Sequence, residues 1–386
     1  MPWQPKDLMD TKREFLELAL QEGANRRELC RRFAISPKTA YALIRRQALE
    51  GTVGACTARS TRPSRSPAQT EPTIEAAVVA LRRQHPKWGG RKIARRLIDQ
   101  GMCNVPAPST VTGILHRHGL IVAEGEPPRE PWHRFEHEHP NALWQIDFKG
   151  HFETPAGRCH PLTVIDDHSR FSLAITACSK TDTAPVQGHL QRVFERYGMP
   201  IRINADNGPP WGSPSKPEHG ITELTVWLIR LGICVSHSRP HHPQTNGKLE
   251  RFHRSLKAEV LNGRSFVDLA HAQDAFEQWR GVYNCQRPHE ALSLQTPVMR
   301  YQISSRAMPT TLAPIAYGPD DEILTVGWNG WIRFKGHKMR VSSALHRLPI
   351  AIRSDPDHDG CFDAYFCHQR FQRFDFNVDT IGTVQI

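Results

Sequence analysis

The chain has no apolar run long enough to cross a bilayer, and its cysteines follow neither a zinc-site nor a disulfide pattern. A transmembrane helix needs about 20 consecutive apolar residues, so an integral membrane protein is excluded. The opening stretch MPWQPKDLMDTKREF lacks an apolar core, so we expect no secretory signal. The nine cysteines are odd in number and never spaced as CxxC, which favours a reducing, cytoplasmic setting.

Acidic residues are fewer than basic ones. The 386 residues include 50 Lys and Arg against 39 Asp and Glu, which gives a net charge of +11 at pH 7. A basic excess on a long chain favours a polyanion as the partner. The length predicts about two to four domains.

Residues 55–70, ACTARSTRPSRSPAQT, contain no acid and many chain breakers. They predict a basic linker that carries Arg59, Arg62 and Arg65. The segment is either plain disorder or a strap that follows a DNA phosphate backbone, and both descriptions can hold. A second breaker-rich stretch, residues 123–140, separates a helical N-terminal third from a strand-rich middle.

Two successive helical units are predicted, in residues 1–54 and 71–122. Each ends on a helix with a Ser and Pro start, over about residues 36–46 and 108–119. Helix, short turn and basic helix form the helix-turn-helix pattern, whose last helix enters the major groove of DNA. The tandem arrangement favours DNA over the alternative of two small bundles that bind protein. The candidate DNA-binding residues are Ser36, Lys38, Thr39, Tyr41 and Arg45 in the first unit and Ser109, Thr110, Thr112 and His116 in the second.

The middle of the chain alternates strands and helices. Residues 143–152, 162–165 and 171–177 predict three strands, and two amphipathic helices, each followed by a strand, come next. This order predicts an α/β core over residues 141–300. Residues 310–386 predict a small β-barrel from strands at 323–326, 331–334, 338–341 and 364–366. Its basic cluster, which either contacts phosphates or forms a solvated hairpin, consists of Arg333, Lys335, His337, Lys338 and Arg340.

Three acids lie where catalysis would use them. Asp147 is inside the first core strand, Asp206 directly follows the fourth, and Glu250 begins a helix after the loop HHPQTNG. A buried carboxylate is costly without a partner, and Mg²⁺ is such a partner. Taken singly, Asp147 could pair with a cation, Asp206 could be a turn residue and Glu250 a surface acid. Their common position at element ends favours a shared metal site for phosphoryl transfer.

The helix that carries Glu250 has two distinct faces. Glu250, Arg254 and Lys257 share one face, which suits a phosphodiester. The alternative is a helical ion pair between Glu250 and Arg254. The other face is apolar and consists of Leu249, Phe252, Leu256 and Val260.

Four segments resemble a known family: WQIDFKG, INADNGPPW, RPHHPQTNGKLERFHRSLK and YNCQRPHEAL. They are similar to the retroviral-integrase-type catalytic core of bacterial insertion-sequence transposases, and the resemblance covers about residues 141–297. It implies an RNase H-like fold and a catalytic, metal-binding triad of Asp147, Asp206 and Glu250. It also implies two Mg²⁺ or Mn²⁺ ions per site, and the family's basic positions fall on Arg254 and Lys257.

The sequence departs from the retroviral group in two respects. The segment between Asp206 and Glu250 is longer than usual, and the extra length fits the breaker-rich residues 209–220. No His-His-Cys-Cys spacing exists, so we expect no structural zinc. Asp166 is a minor candidate for a supporting ligand. His241 and His242 contact DNA or a water, or belong to a flexible loop.

The resemblance implies a DNA transposase that binds the terminal inverted repeats of its element and performs strand cleavage and 3′-OH strand transfer. The expected partners are double-stranded DNA and further copies of the chain, at least a dimer, in the bacterial cytoplasm at the nucleoid. Two alternatives are a DNA-binding regulator with a silent core and a structure-specific nuclease of the same fold.

Overall fold

The computed structural model divides the chain into two compact units, Met1–Gln69 and Thr70–Ile386. It describes residues 7–58, 69–121, 136–212, 221–237 and 247–377 and the backbone of 383–384. The linker residues Arg59, Arg62 and Arg65 lie outside the described residues, as do His241 and His242. Among the described helices, none is long and apolar enough to cross a membrane.

Three helices make up the first unit: α1 (Leu8–Ala19), α2 (Arg26–Arg32) and α3 (Pro37–Cys56). The Ser36 hydroxyl accepts a hydrogen bond from the Thr39 N–H at 3.1 Å, which confirms the predicted start of α3. The helical segment continues ten residues past the predicted end, across a break at Gly51 (φ 74°, ψ 172°). The Arg46 guanidinium spans this break by donating to the carbonyl oxygens of Gly54 (2.6 Å) and Thr57 (2.7 Å). The core of this unit consists of Phe15, Leu16, Ala19, Cys30, Ala40, Ala55 and Cys56.

The second unit begins with three more helices: α4 (Pro72–Gln84), α5 (Gly90–Asp99) and α6 (Pro108–Arg117). Helices α5 and α6 approach closely at Gly90, where a Cβ atom would lie 2.3 Å from the Thr112 hydroxyl and 2.7 Å from the Pro108 carbonyl. Arg96 of α5 donates to the Gln286 side chain at 3.3 Å. The helical unit is therefore docked on the α/β core that follows.

The α/β core is built on one mixed sheet with the strand order β2-β3-β1-β5-β6, and β4 pairs with β3. Strands β1, β5 and β6 are parallel, whereas β3 runs antiparallel to β1, β2 and β4. This arrangement confirms the predicted α/β core. The strands are β1 (Leu143–Phe148), β2 (Phe152–Thr154), β3 (Gly157–Asp166), β4 (Ser172–Cys178), β5 (Arg202–Ala205) and β6 (Cys234–His237).

Helices cover both faces of this sheet. One apolar cluster joins Trp144 and Ile146 of β1 to the helices between β4 and β6, and another joins Ile165 and Ile175 to the helices after β6. The alternation of β1 side chains therefore assigns Trp144 and Ile146 to the face opposite Asp147. The helices are α7 (Thr183–Tyr197), α8 (Glu223–Arg230), α9 (Gly247–Leu256), which a π-helical turn (Lys257–Leu261) extends, and α10 (Leu269–Cys285).

The C-terminal region is all-β, as predicted. Its described strands form a five-stranded antiparallel sheet of order β13-β12-β11-β10-β7 and a separate β8–β9 hairpin, and no pairing among them closes a single ring. Its apolar side chains join the same cluster as β1, β5 and β6. The strands are β7 (Glu322–Thr325), β8 (Trp331–Phe334), β9 (His337–Arg340), β10 (Pro349–Ser354), β11 (Cys361–Phe366), β12 (Gln369–Asp375) and β13 (Thr383–Val384).

An extended connecting segment, residues 302–317, joins the α/β core to the C-terminal region. Arg306 pins it by donating to the carbonyl oxygens of Pro200 and Gly232 (2.8 Å), and the Ser304 N–H donates to the Tyr197 carbonyl at 3.0 Å. The segment passes so close to the end of α7 that a Cβ atom on Gly198 would lie 2.6 Å from the Ser304 carbonyl oxygen.

Gly198→Ala should therefore destabilise the second unit more than a glycine change that meets open space. Gly198 has φ 71° and ψ −177°, a conformation that other residues rarely adopt, and the new methyl group meets backbone. We expect a loss of about 2–4 kcal/mol in the free energy of unfolding, measured by denaturant titration. Gly101→Ala, at φ 81° with nothing within 4 Å, is the matched control and should cost about 1–2 kcal/mol. Equal losses would contradict the close approach.

Candidate active site

Asp147 and Asp206 lie at the ends of neighbouring parallel strands. Strand β1 pairs with β5 so that Trp144 is opposite Ile203 and Gln145 opposite Asn204. The same register, continued by two residues, reaches Asp147 and Asp206. The structure thus brings together two acids that are far apart in the sequence.

The Asp206 side chain is oriented by the turn that follows it. Its Oδ1 accepts a hydrogen bond from the Gly208 N–H at 3.0 Å. Its backbone carbonyl accepts one from Nδ1 of His237, at the end of β6, at 2.9 Å. The Asp206 residue is half-buried.

Glu250 comes from α9, whose inner face is buried as the sequence predicts. Leu249, Phe252 and Leu256 are each 1% exposed or less, whereas Glu250 is exposed. One turn after Glu250, His253 reaches Asp147, with 4.0 Å between His253 Nδ1 and Asp147 Oδ2. The contact between α9 and β1 directs the Glu250 edge of the helix to the same end of the sheet.

The pKa of Asp147 reflects its burial and, to a smaller extent, the neighbouring carboxylates. Burial is the largest cause and, together with the negative charge of Asp206 and a smaller effect from Glu250, raises the pKa to about 7. The hydrogen bond from the Phe148 N–H (2.7 Å) and the charge of Lys149 act in the opposite direction. The three acids therefore share one electrostatic environment, in which negative charge is not fully compensated.

Their chemistry fits a hard divalent cation. Such ions prefer carboxylate oxygens, and a cation would stabilise the ionised form that burial and the neighbouring acids disfavour at Asp147. Within the described part of the chain, however, no three His, Cys, Asp or Glu side chains are close enough together to hold a metal ion. The three carboxylates are thus the right kind of ligand for such an ion, but their side chains are too far apart in this structure to coordinate one together.

His253 is a residue of the site that the sequence analysis did not single out. Burial, with a smaller effect from Lys149, lowers its pKa to about 3, so the imidazole is neutral. The Thr163 hydroxyl donates to the Asp147 backbone carbonyl at 2.9 Å and lies 2.7 Å from His253 Nε2. Nε2 is therefore the protonated nitrogen, and the bare Nδ1 faces Asp147. The spacing of three residues from Glu250 was the available signal.

Asp166 has a structural role at the other end of β1. It pairs with Trp144 in the strand register and is fully buried. Its carboxylate accepts hydrogen bonds from the N–H groups of Asn141 and Ser169, both at 2.7 Å, and from the Ser169 hydroxyl at 2.6 Å. Burial raises its pKa. These contacts occupy both oxygens and hold the turn between β3 and β4.

The two predicted cations of α9 lie at the surface. Arg254 and Lys257 are exposed, and Lys257 begins the π-helical turn. Glu259 in that turn accepts hydrogen bonds from Trp279 Nε1 (2.8 Å) and Arg287 Nη2 (3.1 Å), which anchors the end of the helix. The anchored helix leaves both cations accessible to a phosphate.

The candidate DNA-binding residues of the helical units are mostly exposed. In the first unit, Lys38, Tyr41 and Arg45 follow one face of α3, while the hydroxyls of Ser36 and Thr39 bind each other at 2.8 Å. In the second unit, Ser109, Thr110 and His116 are exposed on α6. Thr112 is half-buried and donates to the Pro108 carbonyl at 2.8 Å, so it also serves the α5–α6 contact.

Comparison with known domain families identifies the parts of the chain. Integrase core domain families match residues 137–243 and 231–297. A homeodomain-like domain matches residues 39–115, across both predicted helical units. The C-terminal domain of IS481 family transposases matches residues 321–382. These matches fall on the α/β core, the helical region and the C-terminal β region of the chain.

Similar proteins come from insertion elements. An uncharacterized protein of IS407 from Burkholderia multivorans is 29% identical over 178 residues, 46% of this chain and 60% of that protein. One of IS476 from Xanthomonas euvesicatoria is 30% identical over 175 residues, 44% of this chain and 48% of that protein. The match therefore spans less than two thirds of either relative. With the transposase domain, these relatives confirm the resemblance to insertion-sequence transposases with an integrase-type core.

A similar solved structure is the HTLV-2 integrase catalytic core domain in complex with magnesium. It is 18% identical and has a TM-score of 0.32 over 43% of this chain and 99% of that chain.

Asp147 should make the metal-free protein less stable as the pH rises. In the folded protein the carboxyl keeps its proton up to about pH 7, whereas in the unfolded chain it loses the proton near pH ~4. The free energy of unfolding should therefore fall between these values, and Asp147→Asn should remove this fall. In divalent-free buffer the variant should match the wild type near pH ~4 and exceed it above pH ~7, by on the order of a few kcal/mol.

Denaturant titrations of both proteins across this pH range give the difference. Asp274→Asn, which changes an exposed acid on α10, is the control and should not alter the pH profile. A difference between Asp147→Asn and the wild type that does not depend on pH would show that the Asp147 pKa is not raised.

Proposed function

We propose that this protein is a DNA transposase that binds the terminal inverted repeats of its own element, cuts a DNA strand and joins the 3′-hydroxyl to target DNA. One observation carries the proposal. Inside the segment matched by integrase core families, Asp147 and Asp206 lie at the ends of paired strands, and the charges of Asp206 and Glu250 both act on Asp147. Carboxylates that crowd without a compensating cation are suited to bind one.

In this proposal Asp147, Asp206 and Glu250 would hold two Mg²⁺ or Mn²⁺ ions, which would supply Lewis-acid assistance to phosphoryl transfer. Asp147 would act as a ligand in its ionised form, which its raised pKa of about 7 disfavours in the metal-free protein. His253, neutral and bonded to Thr163, orients the Asp147 side of the site, and the Gly208 N–H orients Asp206. Arg254 and Lys257 position phosphates of the DNA without binding metal.

The reaction consists of two in-line displacements at phosphorus. In the first, a water oxygen bonds to phosphorus, the bond from phosphorus to the 3′ oxygen breaks, and the released oxygen takes a proton. In the second, that 3′-hydroxyl attacks a target phosphodiester, whose own 3′ oxygen leaves. No protein nucleophile is needed, because both nucleophiles are oxygens of water or DNA.

The helical units supply recognition. The exposed faces of α3 and α6 read the element ends, and Arg59, Arg62 and Arg65 follow the phosphate backbone between them. Transposition joins two element ends, so the active species contains at least two copies of the chain. We place this activity in the bacterial cytoplasm, at the nucleoid.

Asp147→Asn, Asp206→Asn and Glu250→Gln should each abolish cutting and joining while end binding is retained. Each change keeps the size of the side chain but removes a negative charge that a dication requires. The measurement is a Mg²⁺-dependent nicking and strand-transfer assay on a duplex that carries the element end. The control Asp274→Asn should keep full activity. If Asp147→Asn still cuts with metal, the first carboxylate is wrongly assigned.

The same assay separates the alternatives. Cutting by the wild type without joining would indicate a nuclease, and end binding without cutting would indicate a regulator. The activity of the Asp166→Asn variant must be measured together with its thermal stability. The loss of accepted hydrogen bonds at this buried site should destabilise the fold. A folded Asp166→Asn protein should retain substantial activity.

Lys38→Ala, Tyr41→Ala and Arg45→Ala should reduce the preference for end DNA over random DNA. Side chains at base edges give about 1–3 kcal/mol of discrimination each, roughly 5- to 150-fold in relative affinity. Anisotropy titrations of the full chain at fixed salt measure the ratio for both duplexes. Arg13→Ala, which removes an exposed cation from α1, should lower both affinities alike or leave both unchanged. If the ratio of affinities for end DNA and random DNA is unchanged in all three variants, α3 does not contribute to sequence recognition.

A further inference from the structure

The β8–β9 hairpin lies in a part of the chain that carries no negative charge. Residues 323–354 contain no Asp or Glu. Arg353 at the end of this stretch is paired with Asp321, whereas no ion pair to Arg333, Lys338 or Arg347 is present among the described residues. A surface of this charge is complementary to a polyanion.

Trp328, just before the hairpin, is the most exposed of the large aromatic side chains in the described residues. It is 75% exposed, although a tryptophan in a folded domain ordinarily buries most of its surface. Its ring meets the His346 ring edge to face, with 5.3 Å between the centroids. An exposed indole offers a large, rigid aromatic face and an N–H donor to a partner.

The turn that presents Trp328 is tightly constrained. The Gly327 N–H donates to the Trp331 carbonyl, and the Val341 N–H to the Gly330 carbonyl, both at 2.8 Å. Gly330 has φ 79°, and a Cβ atom there would lie 2.3 Å from the Ser342 carbonyl carbon. Trp328 is therefore held out by a rigid scaffold, which lowers the entropy lost when it contacts a partner.

A second tryptophan lies on the exposed face of the hairpin together with two cations. In β8, Ile332 and Phe334 are buried, so Trp331 and Arg333 share the outer face. Arg333 is directly opposite Lys338 on β9, and the Lys338 ammonium lies 4.9 Å from the centre of the Trp331 ring. Aromatic and cationic side chains thus alternate over the hairpin and the turn beside it.

We propose that Trp328, Trp331, Arg333 and Lys338 form a binding site for an unpaired nucleotide of DNA. An exposed indole stacks on a base only when that base is free of its own stack, and the neighbouring cations hold the flanking phosphates. The absence of acids and the unpaired cations favour a nucleic acid over a protein partner. The inference rests on the proposed function, because a strand cut at an element end creates a DNA terminus, and the nucleotides at a terminus unpair more readily than those inside an intact duplex.

The test measures binding by the full-length protein in divalent-free buffer, so that no cleavage occurs. The probes are a fluorescein-labelled duplex of random sequence and the same duplex with one extra unpaired adenine. The wild type should bind the second duplex about 5-fold or more tightly than the first. Trp328→Ala should bind both equally, and Trp328→Phe should keep part of the preference. Met299→Ala, which removes another exposed apolar side chain (61% exposed), is the control and should keep all of it.

Salt separates stacking from charge. Raising the salt concentration should weaken binding to both probes and leave their ratio unchanged, because stacking releases no counterions. The double variant Arg333→Ala with Lys338→Ala should flatten the salt dependence while the preference for the unpaired adenine remains. Because Trp328 is exposed, its variants should melt at the wild-type temperature, which confirms that the fold is intact.

Equal binding of both probes by the wild type, or a preference that survives Trp328→Ala, would overturn this inference and leave the proposed transposase intact. Binding to neither probe, nor to end DNA, would overturn both. If Trp328→Ala keeps the preference and instead lowers the oligomer mass in light scattering, the turn is a contact between protein copies.

Discussion

The parallel pairing of β1 with β5 is the constraint on which the candidate site depends. Side chains alternate along β1, so Trp144 and Ile146 enter the apolar cluster under α7 and α8 while Asp147 faces α9. A slip of one residue would exchange these faces, placing the carboxylate among apolar side chains and the indole beside Asp206. The free energy of burying Trp144 and Ile146 therefore fixes where Asp147 points, and the acids meet as a consequence of core packing.

Much of this could be predicted from sequence periodicity. The apolar stripe of α9 and the strand at β8 agree with the structure because their signals are local, a helical repeat in one case and alternation in the other. Strand β12 was missed because its sequence, QRFQRFD, is dominated by polar residues. Its Arg373 pairs with Asp363 across the sheet at 2.9 Å, and the sequence does not reveal that partner.

Within the site the same distinction applies. The three acids could be proposed from their position at element ends, whereas His253 acquires its role from Thr163, 90 residues away in the chain. The structural contacts of Asp166 likewise depend on Asn141 and Ser169, which only the folded turn brings to its carboxylate. The sequence also does not reveal that the helical segment resumes after Gly51, where Arg46 bonds to the carbonyl oxygens of Gly54 and Thr57. Patterns predict elements, but they do not predict which side chains satisfy one another.

Strand β6 is an edge strand of the core sheet, and the C-terminal region covers part of its outer edge. The Val235 N–H, which points away from β5, donates to the Gln369 side chain of the C-terminal sheet at 3.1 Å. An uncovered strand edge is a template for pairing with another chain, and here a side chain amide takes that position. By occupying this edge, the C-terminal region prevents another chain from pairing with β6 there. A core expressed without it would expose both this edge and the apolar surface that the two regions share.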